Sequence, residues 1–285
     1  TMIESVKEKN FEEGLQETHN QAIKAQKPVL FSYTLRFEVR DVLPFLTHPS
    51  DKYTTRVYWE HPSRGFAYAG LGSVLKFQQN DISNMLEMKN QVLESMHMGI
   101  SLGDNTLIGP RMIGGFSFSE YKGSDVTWNN FPKAQFHLPE CLATLTDDGA
   151  WLTISQLIKP DDKSENLSND FQRTISYYEN RLPVTLPPIS RVAVDKYRDI
   201  PKRDKYNQTI FSVLGHIKPG EMEKVVISRS HHVKVGKDFK MVSAIQVLRN
   251  AYPNCISFCF SFPGEGIFFG STPERLVRLK NGFVE

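Results

Sequence analysis

The chain lacks most of the features that fix a protein's class at a glance. With 3 cysteines among 285 residues, it has neither the pairs for a disulfide scaffold nor the set for a four-cysteine zinc site, so Cys141, Cys255 and Cys259 are expected as free thiols in a reducing compartment. No apolar run approaches the roughly 20 residues of a membrane span, and the longest, CISFCFSF, is interrupted by serines. Neither charge is in excess, since Lys plus Arg total 34 against 32 for Asp plus Glu. No overall field therefore favours nucleic acid or an anionic membrane surface, and an anionic ligand must be held by local charges. The start, MIESVKEKNFEEGLQ, is too charged for a secretory signal. These absences leave a soluble protein expected in the cytoplasm.

Familiar binding signatures are missing as well. GLGSVL, from Gly70, lacks the third glycine of a dinucleotide fingerprint, and VGKD lacks both the upstream glycine and the hydroxyl residue of a phosphate loop. His231 and His232 are adjacent, and neighbours on a strand point to opposite faces, so one metal site would not easily use both.

The periodicities that are present describe an α+β protein. Ile3, Val6, Phe11, Leu15 and Ala22 predict an amphipathic helix over residues 3–25. VLFSYTLRFEV, TRVYWE and GFAYAGLG read as strands, the last two joined by a hairpin loop at HPSRG, and GLGSVL is expected to end its strand in another hairpin. Asp81 is placed as the cap of a helix whose core stripe is Ile82, Met85, Leu86, Lys89, Val92, Leu93 and Met96. Further strands follow in RMIGGFSFS, KAQFHLPE and CLATLT, with Asp148-Gly149 as the turn into AWLTISQLI.

Residues 160–170, PDDKSENLSND, have no periodicity and read as a loop. A helix from Tyr206 to Ile217 is ended by KPG, KVVISR is a strand, and Asp238 caps a further helix. Two last strands are joined at Asn281-Gly282, and the second, FVE, is half an element, which predicts that the natural polypeptide continues past Glu285. Helices sit among hairpin-linked strands instead of alternating with them, so packed, largely antiparallel β-sheets with helices on their outer faces are expected.

Two residues are ambiguous on chemistry alone. Lys224 opens KVVISR, where Lys224, Val226 and Ser228 share one strand face and Val225, Ile227 and Arg229 the other. It is either a solvated strand end or a base held in a pocket. Glu274, in STPERL, suits either a turn or the first turn of a helix, where a carboxylate is favoured by the exposed amides and ordinarily acts as a cap.

Taken together, the KVV-x-SR strand and the FFGSTPERL segment some fifty residues later resemble the chorismate-utilising enzymes, which include isochorismate, salicylate, anthranilate and aminodeoxychorismate synthases. RVYWEHP, AGLGSV and GPRMIGGFSF are similar to the amino-terminal half of isochorismate synthases of the menaquinone-pathway type. Members of that family that add water carry lysine where amine-forming members carry glutamine. The resemblance thus implies Lys224 as general base and Glu274 as general acid.

It also implies the fold of these enzymes, chorismate as substrate and Mg²⁺ to hold its ring carboxylate. The glutamate ligands for that metal lie beyond Glu285, as do substrate-gripping segments, so no metal ligand is expected within the chain. Residues 1–200 are expected to be an N-terminal scaffold and residues 201–285 the start of the chorismate-binding region. The alternatives are a salicylate synthase of the same family and, for residues 1–285 alone, an inactive folded fragment.

Overall fold

The computed structural model describes residues 2–49, 54–81, 84–102, 107–118, 126–190, 192–218, 220–236, 239–280 and 282–284. The chain divides into a larger unit, residues 1–187 with 244–285, and a smaller one, residues 188–243. The region 201–285 contributes to both.

The larger unit is built on an eight-stranded sheet. Its strands, in chain order, are β1 (Val29–Phe37), β2 (Arg56–His61), β3 (Phe66–Leu71), β5 (Ile100–Leu102), β8 (Cys141–Thr146), β9 (Gly149–Ile158), β12 (Ile256–Phe262) and β13 (Gly266–Thr272). Their spatial order is β13-β12-β2-β3-β8-β9-β1-β5. A second sheet in this unit runs β4-β7-β6, from β4 (Leu75–Gln79), β6 (Ile113–Phe116) and β7 (Ala134–Leu138). Among the described residues only β1 with β5 pairs in parallel. The fold is the expected α+β arrangement.

Alternation explains the sheet, and a narrow stripe explains the helices on it. In α1 (Met2–Ala25), Phe11, Leu15 and Ala22 are buried, as their spacing requires. The side chains of Ile3 and Val6 lie outside those described. Phe11 meets Phe31 and Tyr33 of β1 edge-on at 5.8 and 5.0 Å and Phe171 at 5.4 Å. Phe171 belongs to α3 (Ser164–Glu179), which corrects the loop expected over 160–170. Only Leu167 of its buried stripe, Leu167, Phe171 and Tyr178, falls inside that window, so the helical period is invisible until the chain is read past Asp170.

Other expectations shift in register. In α2 (Met85–Met98), Leu86 and Leu93 are 67% and 54% exposed whereas Met88 is buried, so the packed face is turned by about one residue from the stripe assigned to it. Asn84, not Asp81, sits at the cap; Ile82 is outside the described residues. The turn between β8 and β9 is Asp147-Asp148, with Gly149 opening β9 opposite Thr146 at φ 134°. β3 does not turn back on itself through GLGSVL, because β4 pairs with β7 in the second sheet. The final hairpin does form, β14 (Leu279–Lys280) against β15 (Phe283–Val284); Asn281 is outside the described residues, as is Asp238.

The β4-β7-β6 sheet carries a buried histidine whose hydrogen bonds define its protonation. His137 of β7 has Nδ1 2.7 Å from Ser73 Oγ and Nε2 2.6 Å from Gln135 Nε2, and its ring stacks on Phe262 at 4.6 Å. The amide nitrogen can only donate, so Nε2 accepts and Nδ1–H donates to Ser73, whose hydroxyl donates to Leu75 O. Burial, and next the charge of Lys76, lower the His137 pKa from 6.5 to about 4.

Because the folded-state value is depressed, stabilisation is complete above the unfolded value and is lost as pH falls between the two, by about 3 kcal/mol in all. Urea unfolding between pH 7 and pH 4 is expected to show this loss. A His137 ring resonance titrating at or above its unfolded value would contradict it.

The smaller unit contains β10 (Val194–Ile200) paired antiparallel with β11 (Ser230–Val235), and α4 (Arg203–Ile217). Helix α4 matches the expected helix, though its terminator Pro219 is outside the described residues. KVVISR is not a strand: residues 224–229 belong to no element, and β11 begins at Ser230. The alternation over Lys224–Arg229 has no ladder to act on, whereas Ser230–Val235 finds β10.

Candidate active site

Lys224 lies in the smaller unit, exposed, in the irregular segment before β11 and between exposed Glu223 and Val225. Residues 224–229 form no strand, so Lys224 is not a strand end, but among the described residues its side chain is solvated as that reading had it. Glu274 lies in the larger unit, exposed, two residues past β13. Its backbone N–H donates to Thr272 Oγ1 at 3.2 Å, closing a small hydroxyl turn. No helix begins at Pro273, so Glu274 is not a helix cap. The structure assigns the two residues to different units.

Arg229, considered as the cation that would depress a neighbouring lysine, is committed elsewhere. Its Nη1 is 3.4 Å from Asp199 Oδ2, and its guanidinium lies 5.5 Å from the centre of the Tyr206 ring. Asp199 also hydrogen-bonds His231 Nδ1, its cross-strand partner. That hydrogen bond, and then the Arg229 charge, hold the Asp199 carboxyl below the ordinary carboxylate range. His231 is therefore the carboxylate-paired member of the His231-His232 pair. Sequence reasoning missed Asp199 because VDKYRDI mixes charges through its β-forming residues, although Val194, Tyr197 and Ile200 carried the signal of β10.

A cleft of about 500 Å³ in the larger unit is lined by Glu140, Asp161, Asp162, Asn166 and Asp170, with Lys163 the sole cation on its wall. It contains neither Lys224 nor Glu274. Four carboxyl groups against one ammonium make it a poor receptacle for a dianion. Among the described residues no group of three or more His, Cys, Asp or Glu side chains is placed to hold a metal ion. Cys141 and Cys259 are buried free thiols, and burial pushes the Cys259 thiol up to about 12, which makes it inert packing. No described helix is long and apolar enough to cross a membrane.

Residues 16–285 match the family described as chorismate binding enzyme. The chain belongs to that family. It is 23% identical over 267 residues to the isochorismate synthase MenF of Bacillus subtilis, a match covering 90% of the chain and 55% of the relative. It is 22% identical over 263 residues to the salicylate biosynthesis isochorismate synthase of Pseudomonas aeruginosa, covering 92% of the chain and 53% of the relative. The fold matches the structure of MenF, the menaquinone-specific isochorismate synthase from Escherichia coli, with a TM-score of 0.59 at 19% identity over 93% of this chain and 56% of that one. The chain thus spans about half the length of the relatives it matches.

Proposed function

We propose that the whole protein is an isochorismate synthase, an isomerase that adds water to C2 of chorismate while hydroxyl leaves C4 and the double bonds shift between them. The observation that carries this reading is Lys224 at the head of KVVISR in a chain whose residues 16–285 belong to the chorismate-binding family. Water is a weak nucleophile and hydroxide a poor leaving group, so one residue must accept a proton while another gives one. Lys224 is proposed as the base that takes the water proton and Glu274 as the acid that protonates the departing hydroxyl. Both need a drier setting than either has here, because desolvation favours the neutral amine and the neutral carboxylic acid alike.

Residues 1–200 are proposed as scaffold and 201–285 as the start of the substrate-binding region. Mg²⁺, when bound, would anchor the substrate's ring carboxylate. The described residues form no site for it, and the proposed glutamate ligands lie beyond Glu285. The product is proposed to feed menaquinone synthesis in the cytoplasm.

The test is product analysis of the whole protein supplied with chorismate and Mg²⁺. Isochorismate without pyruvate is the expected result, and residues 1–285 alone are expected to give no turnover. Salicylate and pyruvate released from the same active site would reject this reading in favour of a salicylate synthase.

A further inference from the structure

The residues that lead into Glu274 hold its backbone in place. Its N–H donates to Thr272 Oγ1, and the ring of Pro273 between them locks φ. The turn therefore carries Glu274 wherever the end of β13 is fixed. Ser271 at that end stands opposite Ser257 of β12, and Ser257 opposite Glu60 of β2, so the three side chains form a row on one face of the sheet. Ser271 Oγ and Ser257 Oγ are 2.7 Å apart, and either can donate. On the opposite face the Phe258 ring fills the space beside Gly270, 3.2 Å from where a Cβ would sit.

Cohesion alone does not call for this hydroxyl pair. Ser257 is fully buried, and two hydroxyls bonded to each other contribute little more to stability than apolar groups of the same shape would. What the bond adds is direction, since it ties one point of β12 to one point of β13 at short range. The inner end of the row is itself fixed: Tyr58 donates to Glu60 Oε2 at 2.7 Å, and Arg249 Nη1 lies 3.4 Å from Oε1. The row runs from a clamped carboxylate to the turn that carries Glu274.

We infer that Ser257 is a positioning residue for Glu274: its hydroxyl holds Ser271 and, through the Thr272 turn, sets where the Glu274 carboxyl is presented. The inference rests on the proposed function for the use made of that carboxyl, which is to protonate the departing hydroxyl. Such a transfer depends steeply on placement, and a shift of about 1 Å in a reacting group can cost about 10²-fold in rate. Ser257 meets the chemistry only through Ser271 and Thr272, so its removal should act on the rate of the step and not on the affinity for substrate.

In the whole protein, Ser257→Ala is expected to lower kcat on chorismate by about tenfold or more, with KM within about twofold. In a Glu274→Ala background the same change should cost less than about threefold, because no carboxyl is left to misplace. A smaller loss in the first case, or a larger one in the second, overturns the inference. Ser257→Ala with Ser271→Ala separates placement from stability. With both hydroxyls gone neither is left unpaired, so the melting temperature should return towards that of the wild type while kcat stays low; a kcat that recovers with it overturns the inference. Hydrogen exchange read by mass spectrometry without chorismate gives a measure independent of turnover. Amides of 268–274 are expected to exchange at least about fivefold faster in Ser257→Ala, with β1, β8 and β9 unchanged, and equal exchange in the two proteins overturns the inference. A whole protein inactive on chorismate that still shows the faster exchange would reject the proposed function and keep this inference.

Discussion

In the whole enzyme, Lys224→Ala is expected to lower the conversion of chorismate to isochorismate by about 10²–10⁴-fold, the usual worth of a positioned acid or base, with the circular dichroism spectrum unchanged. Lys224→Arg should fail equally, because a guanidinium does not release its proton in a protein. That second variant separates a base from a mere positive charge that attracts the dianion, which arginine would supply. Two ways of neutralising a lysine at pH 7 were open from the sequence, a neighbouring cation and desolvation. Arg229 is taken up by Asp199 and Tyr206, which leaves desolvation as the lever. Val225 and Val226 follow Lys224 in the chain, and both are exposed, Val226 at 80%. Covering them would remove water from the segment that carries Lys224. Turnover within tenfold of wild type in Lys224→Ala would remove it from the role.

The extent to which the molecule can be read from its sequence follows the extent to which each segment is covered by its neighbours. β1, β2, β3, β8, β9 and β12 announce themselves because each is packed by residues of the same chain, so their alternation or apolar runs match a real interior. In α3 the stripe was real but straddled a polar window. In α2 the stripe read from the sequence is turned from the packed face, where Met88 is buried and Leu86 and Leu93 are exposed. KVVISR is the reverse case: its β-branched run signals a strand, yet residues 224–229 have no strand beside them. Strand propensity measures fit to a pleated, half-buried surface, and no such surface is present at this segment. The two candidate site residues were legible from their order and spacing, while the surroundings that would tune them were not, because tuning depends on burial.

Arg249→Ala is expected to destabilise the larger unit by about 3–5 kcal/mol, the cost of leaving buried charges without their partner. Helix α5 (Met241–Ala251) leads into β12, and β12 pairs with β13, which ends two residues before Glu274. Arg249, near its end, grips Asp41 with Nη1 and Nη2 at 3.0 and 2.6 Å and reaches Glu60 of β2 at 3.4 Å. Tyr58 donates to the other Glu60 oxygen at 2.7 Å, and Asp41 accepts from Leu43 N at 2.9 Å. Burial alone would depress the Arg249 pKa, but its bonds to Asp41 and the charges of its partners outweigh that and keep it ionised. Burial raises the pKa of Glu60, opposed by Tyr58 and Arg249.

Removing the guanidinium takes away part of that opposition, so Glu60 in the variant should bind a proton at higher pH than in the native chain. The deficit of Arg249→Ala should then shrink as pH falls from 7 towards 5, and Glu60→Gln in the same chain should recover part of it at pH 7. Arg249→Lys keeps the charge but loses the two-pronged grip on Asp41, and should fall between. Urea unfolding of these variants at the two pH values tests the network. A pH-independent deficit, or one that Glu60→Gln leaves untouched, would mean that Arg249 acts through packing of its stem and not through the carboxylates it holds apart.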